Sequence, residues 1–141
     1  MNIDLGAVNW LAVIVSGVAA FVLGGLWYSV LFGKLWIRAY GWSDEKAAEM
    51  KAKMSPAKFL GGMILSYTVL AAIVAILIGV VKPNGAAGGA TFGAILWAGP
   101  AAAITYTGHL AADRRFAGYV IDAAFQLVAL LTQGAILGAW R

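Results

Sequence analysis

The chain has 141 residues, of which 62% are hydrophobic and 11% charged, whereas about a quarter of the residues in a soluble domain are charged. This composition excludes a soluble globular fold and leaves room for one compact bundle without a separate catalytic domain. The net charge of +4 is concentrated in two interhelical segments, which indicates membrane topology and not nucleic-acid binding, and the absence of cysteine excludes disulfide bonds and thiolate metal sites.

Four long apolar segments account for most of the chain. Each has about 23 to 25 residues, more than the roughly 20 that a helix needs to cross the hydrocarbon core of a bilayer. We therefore predict an all-α fold: a single transmembrane domain over residues 1–141, forming an integral membrane four-helix bundle surrounded by lipid. The predicted spans are residues 8–32, 59–81, 88–110 and 116–140.

Aromatic residues near the span ends predict interfacial anchors. Trp10 and the pair Trp27 and Tyr28 are about 25 Å apart along a helix, so they can lie at opposite membrane interfaces. Trp36 and Trp140, beyond the first and at the end of the last span, are expected to anchor the chain in the same way.

The segment between the first two spans, residues 33–58, is predicted to be ordered. Phe32, Trp36 and Tyr40 recur at every fourth position, which is typical of a helix lying along the headgroups. Ser43 is the expected N-cap of a second short helix. The apolar stripe of that helix is Ala47, Met50 and Met54.

This predicted amphipathic helical hairpin has two interpretations. It is either a docking surface for a cytoplasmic partner or anionic lipid, or a lipid-contacting element that fixes the topology of the chain. Eight of the ten basic residues lie in this segment or between the last two spans, so the positive-inside rule predicts that both segments are cytoplasmic and both termini are outside. These eight are Lys34, Arg38, Lys46, Lys51, Lys53, Lys58, Arg114 and Arg115.

Small residues spaced by four predict close helix packing in the first and last spans. Packing within the monomer and packing between copies would both use such faces, and we expect a homo-oligomer or a larger membrane complex. The residues are Ser16, Ala20, Gly24, Gly134 and Gly138.

A polar ladder is predicted between the last two spans. His109 lies six residues before Arg115 and Asp122 seven after it, so the two side chains reach nearly the same depth in an antiparallel pair. Thr105 and Gln126 form a second level by the same count. Gln133 falls on the same face of the last span as Asp122 and Gln126.

Two interpretations of this ladder remain open. His109 and Asp122 either share or relay a proton, or the ladder consists of interhelical hydrogen bonds that stabilise the bundle. A single His and a single carboxylate are too few for a di-metal site. We predict no catalytic, metal-binding or cofactor-binding residue.

Three segments carry a resemblance to a known family: Asn9–Val13 (NWLAV), Gly24–Trp36 (GGLWYSVLFGKLW) and Gly134–Trp140 (GAILGAW). With these, nearly the full chain resembles the bacterial membrane-protein family catalogued as domain of unknown function 1761. The resemblance implies a four-span protein of the bacterial inner membrane and implies no activity. Members usually carry a proline where this chain has Val30, and other polar residues in the region of Asp122 and Gln126.

The sequence is most consistent with a structural or accessory subunit of a membrane assembly. The alternative is a small homo-oligomeric transporter or channel, coupled to ions or protons, that uses the His109–Asp122 ladder. An enzyme is not expected, because the membrane serines and threonines lack the base and orienting group that a nucleophile needs.

Overall fold

The structure, a computed structural model, describes residues 3–141 and is helical, without strands in that range. A turn of 3₁₀ helix at Leu5–Ala7 precedes the first α-helix. The α-helices are α1 Trp10–Leu26, α2 Gly33–Ala39, α3 Asp44–Lys53, α4 Pro56–Val81, α5 Gly85–Leu96, α6 Ala102–Ala111 and α7 Phe116–Ala139. Two π-helical turns, Trp27–Leu31 and Trp97–Ala101, extend α1 and join α5 to α6.

Within residues 3–141, four continuous helices are long and apolar enough to cross a membrane, which confirms the predicted all-α fold of a membrane protein. The third predicted span begins at Gly85 and not at residue 88. The loop between α4 and α5 is therefore shorter than expected, because residues 86–89 belong to α5. Pro100, which has no backbone N–H to donate, lies in the second π-helical turn. The four long helices are Trp10–Leu31, Pro56–Val81, Gly85–Ala111 and Phe116–Ala139.

The last helix, α7, is the centre of the bundle, and α1, α4 and α5 pack against it. Its closest neighbour is α5, where glycines allow direct backbone contact. A Cβ atom at Gly134 would overlap the carbonyl oxygen of Gly89, and one at Gly138 would meet the carbonyl of Gly85. This close approach of the α5 and α7 backbones strengthens the dispersion attraction between the two helices in lipid.

The small residues of α1 face the interior. Ser16 is fully buried and donates its hydroxyl to the Gln133 carbonyl at 3.5 Å. Ala20 is fully buried beside Phe125. A Cβ at Gly24 would lie 3.2 Å from the Phe125 ring. The contacts of the predicted packing residues therefore lie within one chain, and the expected homo-oligomer stays a prediction.

The two ends of the bundle differ in composition. We call the end with α2, α3 and residues 112–115 the basic end, since it carries eight of the ten basic residues. The other, the terminal end, joins the start of α1 to the end of α7, where Asn9 donates to the Trp140 carbonyl at 3.4 Å. At the basic end Ser43 caps α3 as predicted, its hydroxyl accepting from the Lys46 N–H at 3.2 Å.

Candidate functional site

The Asp122 carboxylate is hydrogen-bonded by three aromatic side chains. Tyr28 and Trp36 donate to Oδ1 at 2.8 and 3.0 Å, and Tyr40 donates to Oδ2 at 2.5 Å. His109 Nε2 lies 3.3 Å from the same Oδ2. We call these five residues the Asp122 cluster. Since the carboxylate side chain is only 14% exposed, the donors replace water that it would otherwise bind.

The contacts of His109 define where its hydrogens lie. Its Nδ1 is 3.0 Å from the Thr105 carbonyl, which only accepts, so Nδ1 carries a hydrogen. Its Nε2 lies 3.3 Å from Asp122 Oδ2 and 3.4 Å from the Tyr40 hydroxyl. The sequence-predicted pair thus meets, at a contact between α6 and α7.

Local backbone geometry brings the aromatic donors to Asp122. The helix is interrupted at Phe32, whose φ of −124° and ψ of 3° change the chain direction. A Cβ atom at Gly33 would lie 2.7 Å from the Tyr28 carbonyl, so glycine allows α2 to begin immediately afterwards. Trp36 and Tyr40 then lie one turn apart on the same side of α2.

Two tryptophans hold the backbone of α7 on either side of Asp122. Trp27 donates its indole N–H to the Ile121 carbonyl at 3.2 Å, and Trp97 donates to the Ala123 carbonyl at 2.7 Å. Each tryptophan is the first residue of a π-helical turn. Such turns are frequent at functional sites. Here the first tryptophan of each turn binds a backbone carbonyl next to Asp122.

Tyr40 also contacts the loop between α6 and α7. The guanidinium of Arg114 lies over its ring, 4.6 Å from the centroid. Burial, and then the hydrogen bond to Asp122, raise the pKa of the Tyr40 hydroxyl above its usual value, although Arg114 acts in the opposite direction. The hydroxyl therefore remains a donor at neutral pH.

The other ladder residues separate into two sites. Thr105 and Gln126 meet as predicted, with Gln126 Nε2 donating to Thr105 Oγ1 at 2.8 Å. Gln133 does not continue this ladder, because it faces α4 and donates to the Tyr67 carbonyl at 3.0 Å. Its fully buried Oε1 has no hydrogen-bond partner among the described residues. The helical periodicity was right, but it did not show which neighbour each position meets.

Three of the five predicted anchors hydrogen-bond within the bundle. Trp27, Tyr28 and Trp36 direct their polar groups to α7, because the chain changes direction after Phe32 and lays α2 against the bundle. Trp10 and Trp140 remain about half exposed at the terminal end. For all five, anchoring in the membrane interface stays a prediction.

Sequence reasoning did not find Tyr28, Trp36 and Tyr40 as partners of Asp122. The spacing of four between Trp36 and Tyr40 was the available signal, and it indicated only a helix face. Hydroxyl and indole donors on that face match an intramembrane carboxylate, but 82 residues separate Tyr40 from Asp122.

A lateral groove of about 1400 Å³ opens between α4 and the α5–α6 helix. Apolar side chains form most of its walls, while Asp122, Thr105 and Gln126 contribute polar groups at its floor. Side chains of α3 line it at the basic end. Among residues 3–141 no three His, Asp or Glu side chains come close enough together to hold a metal ion.

Comparison with protein families identifies the chain. The family described as protein of unknown function (DUF1761) matches residues 11–138. The chain belongs to this family. No curated protein and no solved structure matches the chain.

In this DUF1761 protein the match includes the whole Asp122 cluster and all the helices that line the groove. The family description assigns no activity, so the function must be argued from the geometry. The cluster can connect α1, α2, α6 and α7 through one carboxylate, and the groove can hold an apolar molecule.

Proposed function

We propose that this protein is a structural or accessory subunit of a membrane assembly. The observation that carries the proposal is the state of Asp122, whose two oxygens are both occupied by donors from other parts of the chain. A carboxylate that carries a transported ion or proton must exchange its partners during the cycle. Donors at both oxygens favour a carboxylate that holds helices together.

Two glycines on the outer surface of α4 make no close contact within the monomer, which supports an interaction with another membrane chain. A Cβ atom at Gly61 or Gly62 of α4 would meet nothing within 4 Å. Glycine lowers helix stability by about 1 kcal/mol relative to alanine, and in membranes it permits close approach of a second helix. We infer that the Gly61–Gly62 face of α4 contacts the partner.

Mass spectrometry of the protein extracted in native lipid particles tests the subunit role. A heteromeric mass is expected, and recovery only as a single chain or a homo-oligomer would overturn the proposal. Gly62→Leu should release the partner, since the monomer has room for the side chain. Gly79→Leu is the matched control, because Gly79 is also open within the monomer but lies near the terminal end of the same helix.

A small ion- or proton-coupled transporter is the second candidate. The supporting observation is that Asp122, Thr105 and Gln126 line the lateral groove and so have an access route. Proton uptake into liposomes, followed with an enclosed pH-sensitive dye, tests this role. A transporter should lose flux in Asp122→Asn while still assembling, and wild-type flux in this variant would exclude it.

We infer that the protein lies in a bacterial inner membrane with its basic end in the cytoplasm, as the positive-inside rule indicates. The chain has no cysteine, so a single introduced cysteine is a unique label. In intact spheroplasts, a membrane-impermeant maleimide should modify Ala86→Cys but modify Lys53→Cys only after lysis. The reverse pattern would invert the topology.

A further inference from the structure

Two walls of the lateral groove are each about as long as one leaflet of a bilayer is thick. The lining extends from Leu96 to Thr105 along α5–α6 and from Asp122 to Leu130 along α7. These distances are about 12 to 14 Å at 1.5 Å per residue, close to half of the roughly 30 Å hydrocarbon core. Along α4 the lining is longer, from Phe59 to Leu77, about 27 Å.

Both ends of the groove are restricted. At the terminal end, α4 and α5 are joined by only three residues, 82–84, so the two walls converge there. At the basic end Met50 and Lys51 of α3, and Met54 just after it, form part of the groove's lining. A transmembrane helix, about 10 to 12 Å wide with its side chains, would have to pass through both ends. A molecule that enters sideways from the bilayer fits this shape better.

The apolar side of α3 is only partly covered by the rest of the bundle. Met50 and Met54 line the groove and are 40% and 39% exposed, and Phe59 and Leu60, at the start of α4, are 47% and 48% exposed. Methionine adapts its shape to irregular apolar partners. Met50, Met54, Phe59 and Leu60 can therefore contact the flexible acyl chains of a lipid.

One lysine of α3, Lys51, lies among the apolar lining residues at the basic end of the groove. On α3, Glu49 forms ion pairs with Lys46 and Lys53. Lys51, which lines the groove, forms no ion pair within residues 3–141.

We propose that the lateral groove binds one anionic phospholipid from the leaflet at the basic end. Its acyl chains lie along α4 and α6 under Met50 and Met54, and its phosphate contacts Lys51. This site goes beyond the subunit role and does not depend on it.

Lipid titration of the delipidated protein, followed by native mass spectrometry, tests the site. One phosphatidylglycerol per chain should remain bound at activation energies that remove phosphatidylcholine. Ile104→Trp, at a groove residue that is 71% exposed, should fill the groove and weaken phosphatidylglycerol binding about tenfold. Ile95→Trp is the control, since Ile95 is 62% exposed on the same helix but outside the groove.

A second pair of variants tests the contact between Lys51 and the lipid phosphate. A lysine near an anionic lipid surface contributes roughly 1 kcal/mol, so Lys51→Gln should weaken phosphatidylglycerol binding about fivefold. Lys53→Gln should leave it unchanged. These positions are exposed on α3, so the variants keep the fold.

Three results would overturn the lipid site. Equal losses in Ile104→Trp and Ile95→Trp would mean that lipid merely surrounds the helices. Unchanged binding in Ile104→Trp would place the lipid elsewhere. Loss of a protein subunit, and not of lipid, in Ile104→Trp would mean that a second copy or another chain occupies the groove. A missing heteromer in native particles, by contrast, would affect only the subunit proposal.

Discussion

The Tyr40 hydroxyl lies 2.5 Å from Oδ2 of Asp122, a residue 82 positions later in the chain. This hydrogen bond places the short helix α2 against α7 and makes it part of the bundle. The donors Tyr28 and Trp36 occupy the second oxygen. The fold at the basic end therefore depends on one carboxylate with several neutral donors.

Removing the carboxylate should destabilise the protein. Asp122→Ala leaves three partly buried donors without an acceptor, and we expect a loss of about 3 kcal/mol in the free energy of unfolding. Asp122→Asn keeps one acceptor oxygen and should cost less, about 1 to 2 kcal/mol. Thermal unfolding in detergent measures both.

Asp113 provides the matched control for this charge. It is exposed in the turn before α7 with a φ of 49°, a conformation that asparagine also adopts. Asp113→Asn should leave the melting temperature unchanged. A wild-type melting temperature in Asp122→Ala would show that the cluster does not stabilise the bundle.

The contribution of Tyr40 to stability should disappear at alkaline pH. Because the folded pKa is raised, the contribution is fully present below the unfolded value of about 10 and is lost as the pH rises through the folded pKa. The melting temperature of the wild type should be higher than that of Tyr40→Phe at pH 8. This difference in melting temperature should shrink above about pH 10. A constant difference across that range would contradict the donor role of the hydroxyl.

The glycines between α5 and α7 should tolerate no side chain. Gly134→Ala places a Cβ against the Gly89 carbonyl and should destabilise by about 1 to 3 kcal/mol through displaced backbone. Gly79→Ala, where the space is open, should be neutral or should stabilise by up to about 1 kcal/mol. Equal melting temperatures for these two variants would argue against the tight α5–α7 contact.

Gln133 should be replaceable by an apolar residue. Gln133→Leu removes the bond to the Tyr67 carbonyl, worth about 0.6 kcal/mol in membrane proteins, but also removes the unpartnered buried Oε1. The two effects oppose each other, so stability should change by less than about 1 kcal/mol. A loss above about 2 kcal/mol, measured by the same melting assay, would mean that Oε1 has a partner such as a buried water.

Much of the candidate site followed from counting residues. Positions equally distant from the turn between the last two spans must lie at similar depth, so His109 with Asp122 and Thr105 with Gln126 could be paired in advance. Gln133 shares their helical face, yet it meets α4, because each side of α7 contacts a different helix. Periodicity identifies a face but not the neighbour that covers it.

The sequence by itself determined the all-α membrane fold, because hydrophobic length and the clustering of charge are local properties that lipid selects directly. Only the tertiary structure decided that Tyr28, Trp36 and Tyr40 surround Asp122. It also decided that a groove separates α4 from α6. Both features depend on the change of direction after Phe32 and on which helices pack against α7, and long-range packing of this kind leaves no periodic signal in the chain.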